Sequence, residues 1–176
     1  MIVVVMGVSG SGKTTVGHLL AGSLGAAFIE GDDLHPPANV AKMASGTPLD
    51  DADRWGWLDT IGAKTRAVHE TGTPVVVTCS ALRRVYRERL AAAMGARPRF
   101  VFLRGDFDLL SERMSARRDH FMPPGLLRSQ LATLEEPDGE EGAIAMDVTS
   151  PPGDLAGRAI AALRVQRPDE QGAESG

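Results

Sequence analysis

The strongest chemical signal in the chain lies at residues 7–14, where Gly7, Val8, Ser9, Gly10, Ser11, Gly12, Lys13 and Thr14 spell G-x-x-x-x-G-K-[ST]. The motif follows a β-branched apolar run at residues 2–6 and precedes a stretch with apolar residues at Val16, Leu19, Leu20 and Leu24, which is helical spacing. Glycines there let the backbone take positive φ and come close to an anion. Inward-pointing amides and the positive end of the following helix then hold phosphate. Lys13 would bridge the β- and γ-phosphates, and Thr14 would offer its hydroxyl to Mg²⁺. A glycine-rich turn without a ligand is the bland alternative, and the strand–helix setting weighs against it.

A second set of groups follows the second apolar run. Asp32, in the segment EGDDLHP at 30–36, sits where open α/β sheets bind ligands. It either orients a substrate hydroxyl or caps an Asx turn, and spacing alone leaves both open. Arg54 could clamp a carboxylate bidentately or be a solvated charge on a helix's first turn. Trp55 and Trp57 read as packing residues. The third strand ends in CSAL at 79–82 with no acidic residue, so a metal would rest on Thr14, phosphate oxygens and water, with Asp32 reached through water. Arg113 and Arg117 share a helical face and are either phosphate-neutralising groups on a flap or a plain basic face. Cys79 reads as a small buried apolar residue, and His18 and His69 receive no role.

The elements that must position these groups alternate. Residues 2–6, 27–30, 74–79, 99–103 and 143–148 read as strands, and residues 14–24, 85–94, 107–116 and 155–165 as helices between or after them. Such alternation specifies an open parallel sheet covered on both faces. Two stretches interrupt it, residues 31–72 and 117–142. Long polar connections of this kind usually serve as binding elements or lids. Residues 1–165 are expected to form one domain, with a substrate-binding insert at 31–72, a lid at 117–134 and a disordered tail at 166–176.

Composition narrows the class. With 176 residues, 43% hydrophobic and 24% charged, the chain is ordinary globular material. Nineteen Lys and Arg against 23 Asp and Glu leave a net charge of −4, which disfavours a nucleic-acid partner. No apolar run approaches the roughly 20 residues of a membrane span, and no signal-peptide pattern precedes the first strand. One cysteine allows no intrachain disulfide and suggests a reducing, cytoplasmic setting. No N-K-x-D segment marks a GTPase, and a helicase or transporter ATPase would be larger. Two inserts suit a small-molecule kinase, which must hold an acceptor and exclude water. A nucleotide acceptor would want stacking aromatics, and none cluster near the insert. A nucleotide-binding switch protein is the alternative from another class.

Taken together, GVSGSGKT at 7–14, GDDLHP at 31–36, KMASGTPLDDADR at 42–54, CSAL at 79–82, LRGDFD at 103–108, RMSARRDHF at 113–121 and QLATLEEP at 130–137 resemble the gluconokinase family of small P-loop kinases. The resemblance covers residues 1–165. It implies a three-layer α/β/α fold like that of shikimate and nucleoside-monophosphate kinases, with a lid and a five-stranded parallel sheet in the order 2-3-1-4-5. It also implies ATP-dependent phosphorylation of D-gluconate at the 6-hydroxyl with Mg²⁺, often by a homodimer. Another small acceptor, such as shikimate or a related sugar acid, is the runner-up. By position, the resemblance assigns Lys13, Asp32 and Arg117 to catalysis, and the loop through Thr14 and Thr15, with Arg113 and Arg117, to the nucleotide. Asp32, His35, Lys42 and Arg54 fall to the acceptor, as do Ser80, Arg83, His120 and Gln130. Many relatives carry Asp where this chain has Glu30.

Overall fold

A computed structural model describes residues 1–116, 124–138 and 141–165. Five strands, β1 (Ile2–Met6), β2 (Ala27–Ile29), β3 (Val75–Cys79), β4 (Arg99–Arg104) and β5 (Ile144–Asp147), form one parallel sheet in the order β2-β3-β1-β4-β5, as expected. The helices are α1 (Lys13–Leu24), α2 (Pro37–Ala44), α3 (Asp51–His69), α4 (Arg84–Met94), α5 (Phe107–Ser115), α6 (Pro124–Thr133) and α7 (Pro152–Val165). Central strand β1 is buried along its whole length. Because successive strand side chains point to opposite faces, it feeds two cores. Val3 and Val5 pack with Val16 and Leu20 of α1, Leu127 of α6 and Leu155 and Ala159 of α7. Ile2, Val4 and Met6 pack with Trp57, Leu58 and Ile61 of α3 and Tyr86, Leu90 and Met94 of α4. A continuous apolar strand therefore has helices on both sides, the condition for a buried parallel sheet.

Within the insert at 31–72, a short 3₁₀ turn at Asp32–Leu34 leads to α2 and then to the 19 residues of α3. Its polar composition hid a narrow apolar stripe, since Trp57, Leu58, Ile61 and Thr65 are buried along one face. The start of α3 is fixed by a reciprocal capping box. The Asp53 N–H donates to Asp50 Oδ1 at 3.0 Å, and the Asp50 N–H to Asp53 Oδ2 at 2.8 Å. Lys42 on α2 reaches both carboxylates, at 2.5 Å from Asp53 and 3.2 Å from Asp50. Helix α2 is thereby tied to the first turn of α3.

Two boundaries differ from expectation for local reasons. Glu30 lies just past β2 because the Gly31 N–H turns to the Thr78 hydroxyl, at 3.1 Å, instead of a strand carbonyl. Helix α7 begins at Pro152, earlier than its apolar spacing suggests, because proline's fixed φ suits a first helical turn. Among the described residues, no helix is long and apolar enough to cross a membrane.

Helices α3 and α4 meet where Gly62 faces Ala93, and a Cβ added at Gly62 would lie 2.3 Å from the Ala93 Cβ. Gly62→Val should force the helices apart and cost about 1–3 kcal/mol. Urea unfolding checks this, and an unchanged midpoint would mean that the contact yields freely.

Candidate active site

The phosphate cradle forms where β1 turns into α1. Gly7, Gly10 and Gly12 have φ of 145°, 79° and 92°. A Cβ at Gly7 would approach the Leu103 carbonyl oxygen to 2.7 Å, and one at Gly10 would approach Met114 Cγ to 2.9 Å. Side chains at Gly7 and Gly10 would not fit this path. Helix α1 has no side-chain cap, with Gly12 left-handed at its N-cap position, so its first-turn N–H groups remain available to an anion. Lys13 is nearly buried, and its ammonium curls back to donate to the Val8 carbonyl at 3.2 Å. The Ser11 hydroxyl is buried without a hydrogen-bond partner. Thr14 and Thr15 stand exposed on the first turn. An open cradle, an uncapped helix and an unpaired hydroxyl fit a nucleotide triphosphate. Among the described residues, no three His, Cys, Asp or Glu side chains gather to hold a metal. The Thr14 hydroxyl and the Asp32 carboxylate are candidate oxygen donors, a sparse set of the kind Mg²⁺ completes with water and phosphate oxygens.

The carboxyl end of β3 adjoins the cradle, because β3 pairs with β1 and Cys79 lies beside Met6. Burial pushes the Cys79 thiol up to about 12, and the charges of Asp32, Lys13 and Arg54 all bear on it. Cys79 is inert packing. Asp32 is exposed and, among the described residues, its carboxylate makes no hydrogen bond. The turn carrying it is held by two devices. The Trp57 indole donates to the Gly31 carbonyl at 2.8 Å, and Gly31 lies so close that an added Cβ would be 2.0 Å from the Thr78 oxygen. The Thr78 hydroxyl in turn donates to Glu30, whose other carboxylate oxygen is buried without a partner.

His35 stacks on Trp57 with ring centroids 4.0 Å apart and an interplanar angle of 14°. Burial lowers its pKa to about 4, with Asp32 opposing that shift and Arg54 adding to it. The ring is therefore neutral at neutral pH. Its tautomer follows from Asn39, whose side-chain nitrogen donates to the Asp53 carbonyl at 2.8 Å and lies 3.4 Å from His35 Nδ1. Since the atom facing a carbonyl must be the amide nitrogen, His35 Nδ1 is the acceptor and Nε2 carries the proton. Arg54 is only 8% exposed, and its Nε has no hydrogen-bond partner. Its guanidinium lies 5.6 Å from the Tyr86 ring centroid. It lines a cavity of about 30 Å³ with Leu49 and Met43 on one side and Leu126, Ser129 and Gln130 of α6 on the other.

The remaining positions divide. Gln130 accepts from the Ser9 N–H at 2.7 Å, so it touches the cradle as well as the cavity. Lys42 is held by the two capping carboxylates. Arg83 is held by Asp51 at 2.7 Å and Glu135 at 3.2 Å, and these partners raise its pKa. Ser80 sits half-buried just past β3. Arg113 donates to the Val148 carbonyl at 2.5 Å, fastening α5 to the segment after β5. Arg117 and His120 lie outside the described residues, as do the residues of the expected tail. Sequence reading missed Asn39, whose only signal was its position four residues after His35. It also missed Tyr86, whose hydroxyl donates to Asp51 at the start of α3.

Comparison with known proteins adds an independent finding. A family model described as an AAA domain matches residues 2–137. A gluconokinase from Gluconobacter oxydans is 51% identical over 80% of this chain and 79% of its own length. The crystal structure of a gluconokinase from Sinorhizobium meliloti superposes with a TM-score of 0.83 at 49% identity, covering 93% of this chain and 91% of that one. Shikimate kinase from Acinetobacter baumannii shares the fold, with a TM-score of 0.62 at 17% identity over 96% of this chain and 95% of that one.

The lowered pKa of His35 makes stability depend on pH. The unfolded chain binds its proton near pH 6.5 and the folded one near 4, so the His35 contribution is complete above pH 6.5 and is lost as pH falls toward 4. Urea midpoints of the native protein should fall more steeply over that window than those of His35→Gln. Parallel curves would show that the imidazole is not held neutral.

Proposed function

This chain belongs to the gluconokinase family of P-loop kinases, and from that premise we propose that it transfers the γ-phosphoryl group of ATP to the 6-hydroxyl of D-gluconate. The products are 6-phospho-D-gluconate and ADP. The observation that carries the reading is Arg54, a buried guanidinium with an unpaired Nε on the acceptor side of the cleft. An anionic acceptor completes it, and gluconate supplies one carboxylate. The hydroxyls of the same molecule suit the neutral His35 Nε2–H and the open Asp32 carboxylate. A site built of such donors and acceptors rejects analogues that leave them unpaired.

In the transfer, the cradle amides and Lys13 hold the β- and γ-phosphates and take up charge developing there. Asp32 orients the 6-hydroxyl toward the γ-phosphorus and accepts its proton. The oxygen–phosphorus bond to gluconate forms as the bond to the leaving ADP oxygen breaks. The transition state is loose, so a weakly basic carboxylate in the right place suffices. Helix α6 covers the acceptor side and keeps water from competing. Magnesium, when bound by Thr14 and reached by Asp32 through water, would screen the phosphate charge. Arg113, with Arg117 and His120 of the lid, falls on the nucleotide and acceptor side of the same reading. So do a cytoplasmic setting, which suits a single buried thiol, and a homodimer.

An ADP-release assay over a panel of sugar acids, shikimate and no acceptor tests the proposal. Gluconate-dependent ADP production is the expected result; equal release without any acceptor would make the protein a bare nucleotidase. Lys13→Ala and Asp32→Asn should each lower kcat by about 100-fold or more. Arg54→Ala should mainly raise the KM for gluconate, by about 10-fold or more. An unchanged KM would remove Arg54 from the acceptor site.

A further inference from the structure

The chain between α6 and β5 carries an acid at every third position, and each meets an arginine at the start of α4. Glu135 lies 3.2 Å from Arg83 Nε and Asp138 lies 3.4 Å from Arg84 Nη1. These two pairs are partly in solvent, where an ion pair contributes little. The third differs. Arg87 is 2% exposed and Glu141 12%, and the Arg87 Nε and Nη2 donate to the two Glu141 oxygens at 2.5 and 2.8 Å. Its Nη1 meanwhile donates to three main-chain carbonyls, those of Ala81 at 3.0 Å, Leu82 at 3.3 Å and Glu135 at 3.0 Å. The Glu135 N–H returns a bond to the Leu82 carbonyl at 2.8 Å. One planar guanidinium thus joins the turn after β3 to the chain leaving α6, which a compact ammonium could not do.

Both joined segments border the cleft. The turn after β3 lies at the sheet edge beside the cradle. It holds Ala81 at φ 44°, the one positive φ outside glycine among the described residues. Backbone in that region persists only where its surroundings hold it, and Arg87 binds the Ala81 carbonyl. Helix α6 ends two residues before Glu135, and its Ser129, Gln130 and Thr133 line the Arg54 cavity. A buried ion pair adds little net stability, because desolvation offsets most of its attraction. We propose that Arg87 is a positioning residue for phosphoryl transfer: by pinning the end of α6 to the turn after β3, it keeps the acceptor side covered against water. This rests on the reading of the protein as a sugar-acid kinase with α6 over its acceptor. Water that reached the γ-phosphorus would form an oxygen–phosphorus bond as the bond to ADP breaks, give its proton to solvent and leave inorganic phosphate.

ADP and 6-phosphogluconate are measured together at saturating ATP and gluconate. A merely destabilised enzyme loses active molecules without changing the ratio of these products. Arg87→Lys keeps a charge opposite Glu141 and loses the fork. The paired change Arg87→Met with Glu141→Leu removes both charges, avoiding the unpaired buried ion that either change alone would leave. With thermal melts establishing which variants fold, ADP per phosphogluconate should rise at least about threefold as part of the phosphoryl flow goes to water. The kcat for phosphogluconate should fall about 10-fold or more, and the KM for ATP should stay within about twofold because the cradle is untouched. A folded double variant with the native product ratio would overturn the proposal, leaving the fork a structural tie. So would native coupling in Arg87→Lys, since charge alone would then suffice. A native protein that forms no phosphogluconate would instead bring down the acceptor reading, and this proposal with it.

Discussion

A guanidinium carried into a protein interior gives up its water and must find acceptors, and a donor left without one costs about 1–3 kcal/mol. Arg54 is in that condition: it is buried, and its Nε is unpaired. Its neighbours include Tyr86, His35 and the end of β3, and its charge joins the Tyr86 and Arg83 hydrogen bonds in lowering the Asp51 pKa, yet none of these groups hydrogen-bonds its Nε. An incoming carboxylate would complete that Nε. Much of the surrounding structure serves to keep it there. The capping box of Asp50 and Asp53 sets where α3 begins, Lys42 ties α2 to that point, and the Gly62–Ala93 contact seats α3 closely against α4.

The sheet sets the other half of the geometry. Parallel strands place all their carboxyl ends at one edge, so the turn after β1, the turn after β2 and the end of β3 open onto the same cleft. The cradle and Lys13 come from the first, Asp32 from the second, and Cys79 marks the third. Gln130 touches both, since its amide oxygen accepts from a cradle N–H while the residue lines the cavity of Arg54.

Much of this was legible in the sequence because the relevant signals are local. Residues 7–14 announce a phosphate loop by their glycine spacing, Lys13, Thr14 and the strand–helix setting, and β1 announces a two-sided sheet by being apolar at every position. The insert was harder to read, because α3 keeps its buried stripe narrow and its remaining faces charged, so the pattern resembled a polar connection. Arg54 could be singled out, but its burial depends on Tyr86 and α4, contacts that no spacing reveals. Asn39 and the Ser9–Gln130 bond were invisible for the same reason; the latter joins residues 121 apart. Lys42 and Arg83, which the resemblance gives to the acceptor, have their ammonium and guanidinium held by carboxylates of the chain itself.

The central claim is that Arg54 receives the carboxylate of the acceptor. Proton–nitrogen NMR of the arginine Nε–H groups tests it most directly, with the Arg54 signal assigned by its loss in Arg54→Lys. On titration with gluconate in the presence of a non-hydrolysable ATP analogue, that signal should move downfield and exchange more slowly with water, saturating with the same midpoint as binding. Gluconate that binds and turns over while the Arg54 Nε–H stays unmoved would contradict the claim.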